Sequence, residues 1–169
     1  RRMKGRVLVG KTFENPVKKG RLLILPGWFV NPKQATGLVY SVPAHAPYDW
    51  VALRDLKLKP EKLKEFGVDS KIVDKIQPIS MIRLEGFGEF PAIELVDKMG
   101  VKDQNDPKAD EATQLLYNKE FHTGVLKEIC GEFAGRKVAE VKDELIRNFR
   151  KMAVADVMYD LPSPVVCRC

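Results

Sequence analysis

Apolar side chains recur along this chain with two different periods, and each period predicts one kind of secondary structure. The side chains of residues 36–42 are expected to alternate between two faces, which predicts a strand with Leu38, Tyr40 and Val42 on one side. In residues 138–152 the apolar positions recur every three to four residues, which predicts an amphipathic helix. Strands and helices are therefore both expected.

Shorter apolar runs, bounded by proline and glycine, predict the remaining elements. Further strands are expected at residues 6–9, 22–25, 28–30, 80–84, 157–159 and 165–167. Further helices are expected at residues 47–56, 61–66, 70–76, 91–99 and 108–122. Because these strands do not alternate regularly with helices, their order favours a mixed α/β fold over a doubly wound sheet. The expected architecture is a small barrel-like curled sheet with peripheral helices.

The length and composition are those of one globular domain over residues 1–169. Hydrophobic residues make up 44% and charged residues 31%, which excludes a disordered tail or a fibre. No apolar run approaches the roughly 20 residues of a membrane-spanning helix, and no signal peptide is predicted, so a membrane partner is not expected. The three cysteines, Cys130, Cys167 and Cys169, indicate reduced thiols, and the expected location is cytoplasmic.

The net charge of +6 is unevenly distributed along the chain. Residues 1–60 contain twelve Lys and Arg side chains against three acids, a net charge of +9, whereas residues 61–169 carry −3. A basic segment of this kind suggests contact with a polyanion, with nucleic acid as the first candidate. A solvated basic face explains the same count, so the charge alone leaves both interpretations open.

Common catalytic and cofactor-binding motifs are absent from the sequence. It contains no phosphate-binding glycine loop, no dinucleotide fingerprint and no serine nucleophile elbow. The two histidines, His45 and His122, lie far apart, and no paired Cys or His spacing typical of zinc occurs. Cys167 and Cys169 could bind a metal only with ligands from elsewhere. Neither a metal nor a cofactor is therefore predicted in this domain.

Polar residues that could form a site concentrate in residues 36–49, at the corner where the predicted strand ends at Pro43 and a helix begins. Such a corner combines hydroxyl groups, free N–H donors of a first helical turn and the Asp49 carboxylate, which suits a small zwitterion. Each residue also has a plainer explanation. Asp49 could simply offset the helix dipole, His45 could be a turn residue, and Thr36 and Ser41 could bond their neighbours. The residues alone leave these alternatives open.

The stretch from Thr36 to Asp49 resembles the signature of the editing domain of leucyl-tRNA synthetases of the archaeal and eukaryotic type. It runs Thr-Gly-Leu-Val-Tyr-Ser-Val-Pro-Ala-His-Ala-Pro-Tyr-Asp. The valyl and isoleucyl enzymes share the Thr-Gly pair and the final acid, but their intervening residues differ. The resemblance covers nearly the whole chain, through residues 15–17, 24–26, 52–57, 84–92, 117–124, 135–142 and 164–169.

This resemblance implies a function in translation fidelity. The family's editing domain hydrolyses tRNA(Leu) mischarged with isoleucine, norvaline or methionine, because one methylene gives only about 1–3 kcal/mol of discrimination. The resemblance further implies that Asp49 anchors the substrate α-ammonium group and that Thr36 acts with it in catalysis. Gly37, Ser41 and His45 are implied as substrate-binding residues.

The implied partners are the acceptor end of tRNA(Leu) and the remainder of a synthetase chain. ATP and magnesium would belong to the synthetic core of that parent enzyme, whose signatures this sequence lacks. The family also carries a threonine-rich strand N-terminal to this region, and the chain is expected to be an editing domain without it. Two alternatives stay open: a non-catalytic tRNA-binding module, motivated by the basic residues 1–60, and an editing domain of the valyl or isoleucyl branch.

Overall fold

Six α-helices dominate the part of the chain that the computed structural model describes, which is residues 3–16, 18 and 20–159. The helices are α1 (Pro47–Leu58), α2 (Glu61–Lys64), α3 (Ser70–Asp74), α4 (Pro91–Met99), α5 (Lys108–Thr123) and α6 (Val138–Lys151). Two 3₁₀ segments, Gly5–Val7 and Glu128–Phe133, accompany them. All the predicted helices are confirmed, although α2 and α3 end slightly before their predicted positions.

The helix boundaries follow from local chemistry. Pro47 and Pro91 occupy the first turns of α1 and α4, where a missing N–H removes no intrahelical hydrogen bond. Asp69 caps α3, since its side chain accepts a hydrogen bond from Lys71 N–H at 3.0 Å. Gly100 ends α4 in the left-handed conformation with φ of 64°, which glycine adopts without strain. These boundaries need no information from distant parts of the chain.

The strands form two separate antiparallel pairs within the described residues. β1 (Thr12–Glu14) pairs with β2 (Arg21–Leu23), and β3 (Ile82–Arg83) pairs with β4 (Val125–Leu126). The strands of the first pair follow each other directly as a hairpin. In the second pair, α4 and α5 lie between the two strands in the sequence. The fold is therefore mixed α/β and mostly helical.

The predicted barrel-like curled sheet is wrong for the part of the chain that is described. A curled sheet needs several strands joined edge to edge, and β1 to β4 pair only in twos. Residues 36–42 have no regular structure, because no strand among the described residues pairs with them. Residues 6–9 form 3₁₀ and turn structure, residues 28–30 and 157–159 contain no strand, and residues 165–167 lie outside the described part.

Three clusters of buried apolar side chains hold the helices together, and α1 contributes to two of them. Leu53 and Leu56 pack with residues of α2 and α3, whereas Val51 packs with residues of α4 and α5. The third cluster joins α4 to α5 around Leu116. α6 lies against α5, but Val141 is the one residue of its predicted apolar stripe that is fully buried. α1 and α5 are therefore the central helices, and the corner that precedes α1 adjoins both.

Gly124, which joins α5 to β4, is expected not to tolerate alanine. Its backbone conformation is ordinary, but an added Cβ would press on the Glu120 carbonyl oxygen and come within 2.6 Å of Ile82 Cγ2. We expect Gly124→Ala to lower the free energy of unfolding by about 1–3 kcal/mol, the usual cost of overpacking, as measured by urea denaturation. Gly5→Ala is the control, because no atom outside its own short segment lies within 4 Å of its added Cβ. Equal losses in both variants would contradict the packing explanation.

Candidate functional site

The polar corner predicted from the sequence is a closed, buried turn immediately before α1. Ala44, His45 and Ala46 are almost completely buried. The Val42 carbonyl oxygen accepts hydrogen bonds from His45 N–H at 2.9 Å and from Ala46 N–H at 3.0 Å, and α1 starts at the next residue. A further bond from Ala92 N–H to the Ala44 carbonyl, at 3.1 Å, ties the corner to the start of α4. Backbone hydrogen bonds therefore hold the corner both within itself and against the start of α4.

Asp49 lies in the first turn of α1, and its side chain points back toward the residues just before the corner. The residue is 5% exposed, and its Oδ2 accepts a hydrogen bond from Val42 N–H at 2.6 Å. The Ser41 side chain also hydrogen-bonds to this carboxyl group. Burial raises the pKa of Asp49 above its ordinary value, and the hydrogen bonds from Val42 and Ser41 oppose that rise. The structure therefore brings together two predicted site residues, Asp49 and Ser41.

No basic side chain among the described residues forms an ion pair with Asp49. A carboxylate removed from water is costly unless a positive charge or several hydrogen-bond donors compensate it. Two donors, Val42 N–H and the Ser41 side chain, come from the segment just before the corner, and neither of them carries a positive charge. The charge of a cationic group such as an ammonium would compensate this carboxylate.

Tyr117 of α5 is a residue of this site that the motif did not single out. Burial raises the pKa of its phenol, and the negative charges of Asp49 and Glu120 raise it further, which places the ring within electrostatic reach of both carboxylates. Half of the residue remains exposed. No local sequence pattern could relate Tyr117 to Asp49, because the packing of α1 against α5 brings them together.

His45 is directed into the protein and away from the surface. Its Nδ1 lies 2.6 Å from Glu120 Oε1 on α5. Its Nε2 accepts hydrogen bonds from Met81 N–H at 2.8 Å and from Ile82 N–H at 3.2 Å, at the start of β3. Both ring nitrogens are thus used within the fold, so neither offers a lone pair or a proton to a ligand in this arrangement.

Thr36 and Gly37 form a local turn, and no hydrogen bond joins either of these two described residues to Asp49. The Thr36 hydroxyl accepts a hydrogen bond from Leu38 N–H at 3.3 Å and lies 3.4 Å from the Leu38 carbonyl. Gly37 has φ of +70°, and an added Cβ would lie 3.3 Å from the Pro32 carbonyl oxygen, so the turn requires glycine. Their predicted roles in the site stay predictions.

Two further expectations concern metals and membranes. No group of three or more His, Cys, Asp or Glu residues within the described ranges is arranged to hold a metal ion. Cys167 and Cys169 lie outside those ranges. Across the same described stretches, every helix is too short or too polar to cross a bilayer.

Comparison with known proteins decides the family. The chain is 48% identical over 166 residues to a leucine–tRNA ligase of Methanothrix thermoacetophila, a match that covers 98% of this chain and 17% of the ligase. It is 47% identical over 162 residues to the ligase of Methanococcoides burtonii, covering 96% and 16% respectively. The chain belongs to the leucyl-tRNA synthetase family. This synthetase segment spans about one sixth of the length of the curated relatives that it matches.

The fold of the synthetase segment is that of the editing domain. The editing domain of the P. falciparum cytosolic leucyl-tRNA synthetase superposes with a TM-score of 0.80 at 24% identity, over 89% of this chain and 50% of that domain. The structure of GlLeuRS-CP1 superposes with the same TM-score of 0.80, over 95% of this chain and 62% of that one. No family model matches the segment.

Proposed function

We propose that the segment carries out post-transfer editing for a leucine–tRNA ligase, hydrolysing the ester that links a wrong amino acid to tRNA(Leu). The observation that carries this proposal is the Asp49 carboxylate, which is buried, held by two donors and unpaired with any basic side chain of the described residues. An aminoacyl ester presents an α-ammonium group beside the carbonyl carbon that water attacks. Asp49 therefore suits a substrate of this kind.

In the proposed reaction, Asp49 binds the α-ammonium group and so fixes the position of the ester carbonyl. Holding two reactants in the productive geometry accounts for a large part of many enzymatic rate enhancements. Water adds to the carbonyl carbon, the tRNA ribose oxygen leaves with a proton, and the products are a free amino acid and uncharged tRNA. Thr36 and Gly37 are proposed to line the pocket on the side of the acceptor end, and Ser41 to hold Asp49 in place.

The proposal includes the partners and location that such a reaction needs. The basic residues 1–60 would meet the phosphates of the tRNA acceptor end. The rest of the parent ligase would bind the body of the tRNA and charge it with leucine, using ATP and magnesium in its own synthetic core. The editing step itself needs no cofactor, and the location is cytoplasmic. The amino acids removed are proposed to be isoleucine, norvaline and methionine.

Deacylation by the parent ligase tests this function and separates it from the two alternatives. The intact ligase is expected to hydrolyse isoleucyl-tRNA(Leu) and to leave leucyl-tRNA(Leu) unchanged, as measured by release of labelled amino acid. Preferential hydrolysis of threonyl- or valyl-tRNA would instead indicate the valyl or isoleucyl branch. Salt-dependent binding of tRNA without any hydrolysis would indicate a binding module and overturn the proposal.

A further inference from the structure

We propose, on the basis of the function proposed above, that His45 is a positioning residue of the editing site. In this inference its ring is neutral, carries its proton on Nδ1, and holds the corner in the shape that presents Val42 N–H to Asp49. The ring does not contact the substrate. Its effect on the reaction passes through the backbone of the corner.

The partners of the ring determine its tautomer. Nε2 faces two backbone N–H groups, of Met81 at 2.8 Å and of Ile82 at 3.2 Å, and both can only donate. Nε2 must therefore present a lone pair and carry no proton. Nδ1 faces Glu120 Oε1 at 2.6 Å, and a carboxylate accepts, so the single proton of a neutral ring lies between Nδ1 and that oxygen. A doubly protonated ring would place a proton on Nε2, directly against the N–H groups of Met81 and Ile82.

The ring joins three elements that are far apart in sequence. It sits in the corner before α1, bonds to Glu120 near the end of α5, and bonds to Met81 and Ile82 at β3. The side chains of His45 and Glu120 are only 4% and 6% exposed. In a buried setting, hydrogen bonds without competing water are strong and directional. Gly124, just after α5, lies so close to Ile82 that an added Cβ would come within 2.6 Å of Ile82 Cγ2, so the end of α5 packs directly against β3 beside the ring.

The connection from His45 to Asp49 passes through Val42. The Val42 carbonyl accepts the N–H groups of His45 and Ala46, which closes the turn, and the Val42 N–H donates to Asp49 Oδ2 at 2.6 Å. The two peptide groups that carry this carbonyl and this N–H share the Val42 Cα, so a movement of the corner that released the ring would also displace the Val42 N–H relative to Asp49. His45 fixes that orientation from one side and Ala92, bonded to the Ala44 carbonyl, from the other.

The tautomer is measured on the unmodified chain by nitrogen NMR of labelled histidine. The chain has two histidines, and His122 is exposed on α5, so it provides an internal reference. We expect His45 to show one protonated Nδ1 and one unprotonated Nε2, the tautomer that its partners Glu120, Met81 and Ile82 require. An Nε2–H tautomer for His45 would overturn the proposal without the need for any variant.

The positioning role is measured with His45→Gln, with His122→Gln as the matched control. We expect His45→Gln to reduce kcat/KM for deacylation by the parent ligase about 10-fold or more, mainly through kcat, since misplacement of about 1 Å can cost 10²-fold. We also expect the Asp49 carboxyl, followed by carbon NMR in the chain, to titrate at higher pH, because the Val42 bond that lowers its pKa weakens. A role limited to stability would shift the melting temperature and leave this titration unchanged, which would overturn the proposal.

The role of His45 and the proposed function can be tested separately. The tautomer and the Asp49 titration need no substrate, so they report on His45 even if the segment edits nothing. Full deacylation by a ligase that lacks the Asp49 charge would refute the proposed function whatever His45 does. Should His45→Gln fail to fold, His45→Asn is the second variant, since its amide can donate to Glu120 as Nδ1 does. It is expected to keep more activity than His45→Ala, and equal activities would count against the role.

Discussion

The Asp49→Asn variant of the parent ligase is expected to deacylate mischarged tRNA(Leu) about 30-fold more slowly than the wild type, or slower still, while charging tRNA with leucine at the normal rate. Asparagine keeps the size of the side chain and an oxygen that can accept from Val42 N–H. It loses the charge that would pair with the α-ammonium group, together with one of the two acceptor oxygens of the carboxylate. Removing one partner of a buried charge pair costs about 2–5 kcal/mol, which corresponds to this factor or a larger one.

Asp97→Asn is the matched control for this variant. Asp97 is an exposed residue of α4, and its side chain takes no part in the corner. Deacylation should therefore be unchanged in Asp97→Asn, as measured by the same release of labelled amino acid. Wild-type deacylation in Asp49→Asn would remove the ammonium anchor from the proposed mechanism.

The same carboxyl group gives the reaction a predictable dependence on pH. Burial raises the pKa of Asp49, so the anchor is protonated at a higher pH than an ordinary aspartate. Deacylation should fall as the pH is lowered through that raised pKa, and this acid limb should be missing from the residual activity of Asp49→Asn.

The raised pKa also fixes the sign of the effect on stability. The folded chain binds the Asp49 proton more tightly than the unfolded chain, so this group contributes stability at low pH that is lost as the pH rises through the raised pKa. Asp49→Asn should therefore be at least as resistant to thermal unfolding as the wild type at neutral pH. A clear fall in melting temperature would mean that lost activity reflects unfolding.

Leu116→Ala is expected to lower the free energy of unfolding by about 2–5 kcal/mol, which is a large part of the total stability of most domains. Leu116 is 0% exposed and lies where α5 packs against α4, in a cluster with Leu84, Ala92 and Leu95. Truncating it removes apolar contacts and leaves a cavity that the rigid helices cannot close. Urea denaturation of the chain measures the loss.

Leu115→Ala is the control for the core variant, since it removes the same atoms from the adjacent position. Leu115 is 42% exposed, because successive residues of α5 face different directions. The change should cost about 0.5 kcal/mol or less, as for most surface substitutions. Similar losses for the two leucines would contradict the packing of α5 against α4.

The helices could be predicted from the sequence because their signals are local. Pro91 at the first turn of α4 and Gly100 at its end act within one turn of the residues that they affect. The strand predicted at residues 36–42 has the right pattern of side chains, but no strand in the described part of the chain pairs with its backbone, which is the second requirement of a strand. The barrel-like sheet was inferred from such segments and failed for the same reason.

The candidate site likewise has a part that could be predicted from local sequence and a part that depends on distant residues. Residues 36–49 were identified from their polar side chains and their resemblance to a known signature, and the structure brings Ser41 and Val42 to Asp49 as a corner would. The approach of Tyr117 and the pairing of His45 with Glu120 could not be predicted. The two residues of that pair are 75 positions apart, and nothing in their immediate surroundings records the contact.

By itself, the sequence determined the helices, the basic character of residues 1–60, the acid at the start of α1 and the synthetase family. These properties depend on composition, on neighbours within a turn or two, or on the order of residues in a motif. Only the tertiary structure decided that Asp49 is buried without a basic partner among the residues that it describes, and that both nitrogens of His45 are occupied. Burial and pairing depend on which distant helices pack together, and that packing is a property of the whole fold.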